Sequence, residues 1–171
     1  MKSFMKDLRG LIPATATRNQ AGLVGKMMKI GAFSVRIESL LGEGGFAQIY
    51  KARDSVSNAA YALKHMRLMG EGEALADCHA EIDSLQQLRG LPHILTLKAV
   101  VMTGPKGAEQ EAYLLLDLCQ ENLVEYCSRL RGPLPNSEVA QIFLAACKAL
   151  SALHLQQPPM AHRYTNMEVD I

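Results

Sequence analysis

The chain has 171 residues, 49% of them hydrophobic and 20% charged, with a formal net charge of +1. That is enough for one ordinary domain with its own core, in the composition range of a soluble globular protein. The near-neutral balance gives no electrostatic case for nucleic acid or an acidic membrane surface, and no stretch approaches the roughly 18 uninterrupted apolar residues of a membrane span.

Residues 1–32 read as a leader with weak periodicity. Lys2, Lys6, Arg9, Arg18, Lys26 and Lys29 stand against a single acid, Asp7. A basic, acid-poor start is one mark of a transit peptide, but Ser and Arg are not enriched. The plain reading is a mobile or partly helical leader.

The texture changes at Phe33. Ser34–Leu41 alternates β-branched and aliphatic residues and runs into glycines, and Gln48–Arg53 follows as a second strand. The glycine stretch therefore joins a hairpin. Asp54–Asn58 is turn chemistry, and Ala59–Met66 reads as a third strand. A helix is expected from Glu73 to Arg89, stopped by Gly90. Ile94–Met102 and Glu111–Leu118 read as two more strands, and helices follow at Glu121–Arg131 and Ser137–Gln156. Strands with one inserted helix, rather than strict alternation, predict an antiparallel sheet with a packed helix, an α+β arrangement.

Gly42-Glu43-Gly44-Gly45-Phe46-Ala47 is the first candidate site. Phosphates need backbone N–H donors close by, and a Cβ obstructs the approach. Phe46 could cover such a ligand, and Ala47 is still small. By itself a glycine-rich hairpin is more often just a turn. Lys64 is the second candidate. On a strand, Ala62 and Lys64 share a face, and a lysine below the loop reaches α- and β-phosphates. The plain alternative is a surface lysine. Glu81 falls inside the apolar arc of Leu75, Cys78, Ile82, Leu85 and Leu88 on the expected helix. A carboxylate there needs a cation, and Lys64 is the natural one; the alternative is a rim position that reaches water.

Asp117-Leu118-Cys119 follows the apolar run Tyr113–Leu116, where a strand becomes a connector. Cys78, Cys119, Cys127 and Cys147 form no C-x-x-C pair, which favours reduced thiols in the cytosol or nucleus over a disulfide framework or a zinc site; a cytoplasmic location is the expectation. Cys119 is also a candidate reactive thiol. Last come Pro158-Pro159 and His162-Arg163, after a long amphipathic helix.

Together these residues resemble the eukaryotic protein kinase family, of Ser/Thr type, over about Phe33 to Arg163. Within it the chain looks most like the Numb-associated group, which includes the adaptor-associated and cyclin-G-associated kinases. The residues behind that likeness are the loop with Ala47, Leu88–Ile94, Leu116-Asp117-Leu118-Cys119, Asn122–Tyr126 and the double proline before His162-Arg163. The resemblance implies a nucleotide-binding lobe of five antiparallel strands plus one helix over 33–119. It implies the first helices of a helical lobe over 120–163. Residues 164–171 do not match.

The same resemblance implies ATP as phosphoryl donor and Mg²⁺ in the family, with Lys64 on the α/β-phosphates and paired to Glu81. Leu41, Ile49 and Ala62 would enclose the base, Leu116 would be the gatekeeper, and the backbone of Asp117 to Cys119 would meet adenine. Clathrin-adaptor subunits as substrates, and endocytic trafficking, are implied for the subgroup. After His162-Arg163 an Asp is expected, with an Asn five residues after it; Tyr164 and Val169 stand there. Asp-Phe-Gly is missing, so no metal ligands are assigned. The expectation is a chain that holds the ATP loop without transferring phosphate, its last residues coming from a changed reading frame or an unspliced intron. The alternative is a non-catalytic kinase-like binding module that competes for partners. The Ser137–Gln156 helix, with Val139, Ile142, Phe143, Ala146, Leu150 and Leu153 on one broad face, is expected to be sticky and to promote self-association.

Overall fold

A computed structural model describes residues 22–45, 47–68, 72–105, 108–130 and 132–155. Six strands form one antiparallel sheet: β1 Met27–Ile30, β2 Phe33–Glu43, β3 Ala47–Asp54, β4 Ala60–Leu68, β5 Leu97–Thr103 and β6 Gln110–Asp117, in the order β1-β2-β3-β4-β6-β5. Helix α1, Glu73–Gln87, intervenes between β4 and β5. Two more helices follow, α2 Leu123–Arg129 and α3 Asn136–His154. The α+β class expected from the sequence is the one observed.

The sheet is one strand wider than expected, and the extra strand comes from the supposed leader. β1 pairs with β2 from Met27↔Arg36 to Ile30↔Phe33. Ile37 N–H donates to Lys26 O and Gly25 N–H to Ile37 O, which extends the tie by one step. Leu23 and Ile30 are buried in the core. The four residues of β1, closely flanked by Gly25 and Gly31, give too short a pattern to register as a strand. Long-range burial of Ile30 decides it, as tertiary context often overrides local signal. The leader residues 1–21 lie outside the described residues.

Period-two alternation divides the core between the two faces of the sheet. On one face Leu23, Ile30, Val35, Ile37, Tyr50, Ala52, Leu63, Tyr113 and Leu115 pack together. That is possible because the sheet is strongly coiled and brings β1 against β5 and β6. A methyl group placed on Gly31 would stand only 3.2 Å from Ala99 Cβ. The other face carries Ala62, Met66, Leu68, Leu97, Ala112, Leu114 and Leu116, covered by Cys78 and Ile82 of α1.

Helix α1 forms over good helix formers with no β-branched residue before Ile82, and Glu73 in its first turn suits the helix dipole. It stops two residues short of the expected Arg89. Leu91 N–H closes onto Leu88 O, and Gly90 takes the left-handed φ of 83° that ends helices. Helix α2 starts at a full capping box: Asn122 Oδ1 accepts from Glu125 N–H, and Glu125 accepts from Asn122 N–H. Tyr126 Oη donates to Glu138 Oε2 and ties α2 to α3. In α3 the one broad apolar face expected from the sequence is divided. Ala145, Ala149 and Leu153 are buried, whereas Val139, Phe143, Leu144 and Leu150 are exposed.

Candidate functional site

Strand register brings the candidates together. Gly42 pairs with Ile49, Ile49 with Lys64 and Lys64 with Leu114, so one rung crosses four strands from the glycine hairpin to the sheet centre. Ala47, Ile49 and Ala62 all join the cluster on the α1 face of the sheet. The face alternation expected at Ala62 and Lys64 is the one observed.

Lys64 Nζ stands 2.5 Å from Glu81 Oε1, with 18% of the lysine side chain and 37% of the glutamate exposed. Both sequence readings of Glu81 hold in part: it is paired, and it sits at the water-facing edge of the helix's apolar arc. Cys78, one turn earlier, is buried, and that burial with Glu81 nearby pushes its thiol up to about 11. It is therefore an inert core thiol. An ammonium has three donors, so the pair leaves Lys64 capacity for an anionic ligand beside Glu81.

At the hairpin tip Gly44 N–H donates to Ala47 O at 2.8 Å. That donor closes the turn, so an anion has to be met by other N–H groups of the loop. A Cβ on Gly42 or Gly45 would meet nothing within 4 Å, and neither residue has a left-handed φ. The fold itself therefore does not require glycine at these two positions. Without a Cβ, the backbone at both positions stays open to close approach. Phe46 lies outside the described residues.

Leu41 is the extra residue of a bulge, since Leu40 pairs with Tyr50 and Gly42 with Ile49, and it is 51% exposed. Leu116 is 7% exposed at the end of the α1-face cluster. Asp117 N–H donates to Thr96 O at 3.2 Å, so that donor is already engaged. Cys119 is a half-buried cysteine on the connector. His162, Arg163, Tyr164 and Val169 lie outside the described residues.

Two features escape a reading of the sequence alone. Lys98 pairs with Asp117, Nζ to Oδ1 at 2.8 Å; its one signal is a charge inside an otherwise apolar strand. His65 is buried on the face away from α1, stacked on Tyr113 with ring centroids 4.7 Å apart. Its Nε2 lies 3.3 Å from Glu111 Oε1, and Tyr113 Oη donates to Glu111 Oε2 at 2.6 Å. Burial holds the imidazole below its ordinary value, against the pull of Glu111.

The protein kinase domain family matches residues 35–164. A probable serine/threonine-protein kinase of Dictyostelium discoideum is 35% identical over 86% of the chain, which corresponds to 19% of that relative's length. The actin-regulating kinase PRK1 of Saccharomyces cerevisiae is 28% identical over 84% of the chain and 19% of its own length. A serine/threonine-protein kinase of Schizosaccharomyces pombe is 29% identical over 84% of the chain and 15% of its length. The chain thus spans less than a quarter of the curated relatives it matches. With the family match across most of its residues, the chain belongs to the protein kinase domain family.

Proposed function

We propose that this chain is the ATP-binding part of a Ser/Thr protein kinase, and that as its sequence stands it holds nucleotide without transferring phosphate. The observation that carries the first half is the Lys64–Glu81 pair on the same rung as Gly42. Kinases use ATP and Mg²⁺ to phosphorylate protein hydroxyls, with this ion pair on the α/β-phosphates. In this reading Lys64 neutralises phosphate, Glu81 fixes the lysine's direction, and Gly42 and Gly45 let the backbone approach. Leu41, Ile49, Ala62 and Leu116 enclose the base, and the backbone from Asp117 to Cys119 meets its edge.

The second half rests on Tyr164. It stands where the family's aspartate orients the attacking hydroxyl, and a phenol cannot accept that proton at neutral pH. This residue also favours the other reading, a non-catalytic module that binds nucleotide or partners. The Numb-associated subgroup is supported by Ala47 in the loop and by Leu116-Asp117-Leu118-Cys119. Clathrin-adaptor-like substrates and a cytoplasmic location follow from that subgroup. Two relatives are named as actin-regulating kinases, which adds actin regulation to the processes this chain could serve. Among the described residues no helix is long and apolar enough to cross a membrane.

The test is a titration of the chain with a fluorescent ATP analogue, alongside a phosphate-incorporation assay on a generic protein acceptor. Saturable binding that weakens at least about tenfold in Lys64→Met, with no incorporation by either protein, is the expected result. Equal binding by Lys64→Met removes the nucleotide reading. Incorporation above background by the wild type removes the inactive one.

A further inference from the structure

Strand β5 carries one residue too many for its partner. Leu97 pairs with Leu116 and Ala99 with Leu115, so Lys98 is the inserted residue of a bulge. Bulges re-aim a side chain and bend the strand locally. Here the bulge turns Lys98 onto Asp117, the residue directly after Leu116, with Nζ and Oδ1 2.8 Å apart. On β6, Leu114 and Leu116 point into the α1-face cluster while Tyr113 and Leu115 point to the other side. By that alternation the Asp117 side chain stands on the face away from Lys64.

Asp117 is therefore held twice by one short segment. Thr96 O accepts its backbone N–H at 3.2 Å, and Lys98 holds its carboxylate from behind. The nucleotide-facing side of the connector is left to its backbone groups. We infer that Lys98 is a positioning residue for base recognition: it fixes the orientation in which Asp117 and the connector after it present their backbone to the edge of a purine. The inference rests on the nucleotide reading above. A stabilising role alone does not account for the arrangement. With 28% of Lys98 and 41% of Asp117 exposed, such a pair adds little to folding. Its consequence is geometric, since recognition by hydrogen bonds tolerates displacements of only about 0.5 Å.

Lys98→Met keeps the aliphatic stem and removes the charge; Lys98→Arg keeps the charge. The first measurement is the amide spectrum of each ligand-free protein. Lys98→Met is expected to shift the amides of Asp117 to Cys119 and to leave those of Gly42 to Gly45 in place, while Lys98→Arg stays near wild type. Unchanged connector amides in Lys98→Met overturn the inference whether or not nucleotide binds. The second measurement titrates ATP, GTP and inorganic tripolyphosphate. Lys98→Met should lose about tenfold in ATP affinity, the worth of one misplaced hydrogen bond, and with it the preference for ATP over GTP. Tripolyphosphate binding should not change. An unaltered ATP/GTP ratio in a protein that binds ATP through Lys64 also overturns it. A wild-type chain that binds none of the three removes the nucleotide reading instead, and the connector amides then decide the positioning role alone.

Discussion

The sheet and helix α3 are both rich in apolar residues, and they use them in opposite ways. Leu63, Leu114 and Leu115 are fully buried, whereas Phe143 is 70% exposed and Leu144 54%. The sheet covers itself: coiling closes one face and α1 covers the other. Helix α3 buries Ala145, Ala149 and Leu153, and turns Val139, Phe143 and Leu150 to solvent. An apolar pattern thus states which side chains can form a face. Only a partner surface decides which of them are buried. Stability should accordingly concentrate in the sheet, and stickiness in α3.

The largest effect expected from this contrast is at the sheet centre. Leu115→Ala removes a fully buried side chain from between strands that cannot collapse around the gap. It should cost about 3 kcal/mol in urea unfolding, within the range for core leucines. A loss under about 1 kcal/mol would mean that the coiled face is loosely packed, and the contrast with α3 would disappear.

Much of this lobe is legible in the residues. Alternation at Ala62 and Lys64 sets their face, and the helical period of Leu75, Cys78, Ile82, Leu85 and Leu88 puts Glu81 inside their apolar arc, where a carboxylate needs a cation. Both are local regularities, and the ion pair follows from them. What the residues do not show depends on register and closure. β1 exists because Ile30 is buried by a sheet that coils back on it. Lys98 reaches Asp117 because a bulge shifts the strand by one. Neither a coil nor a bulge leaves a periodic mark. The division of the α3 face is of the same kind, since period alone groups Phe143 with Leu153 although the two are exposed and buried respectively.

A smaller effect sharpens the comparison within the sheet itself. His65 is a polar residue in the most buried part of the fold, with Glu111 and Tyr113 of β6 facing it and the charges of Arg67 and Lys26 nearby. Its folded value lies below the ordinary imidazole value, chiefly because burial disfavours the cation. As the pH falls below about 6.5 the unfolded chain takes up that proton first, so stability is lost progressively toward the folded value. Glu111 is also lowered, first by the Tyr113 hydroxyl, and adds a loss of the same sign at more acid pH. Thermal unfolding between pH 7.5 and 5.5 should show a falling Tm, by less than Leu115→Ala costs. His65→Phe keeps the stack on Tyr113 and should flatten that limb while leaving the acid limb of Glu111. Parallel limbs in the two proteins would assign the loss to other groups.

The smallest thermal effect should come from the other half of the comparison. Phe143 is already 70% exposed in the folded chain, so Phe143→Ser removes little buried area and should change the unfolding free energy by no more than about 0.5 kcal/mol. Its effect should appear instead in association. Val139, Phe143, Leu144 and Leu150 together present apolar area on one helix, the kind of patch that drives proteins together. Sedimentation at rising concentration should show the wild type associating and Phe143→Ser remaining monomeric to higher concentration. Helix propensity works slightly against serine, so a control at another exposed site, Ser137→Ala, separates propensity from patch. If Phe143→Ser instead unfolds the chain as Leu115→Ala does, α3 is packed in solution against something that covers this face, and the two regions do not differ in kind.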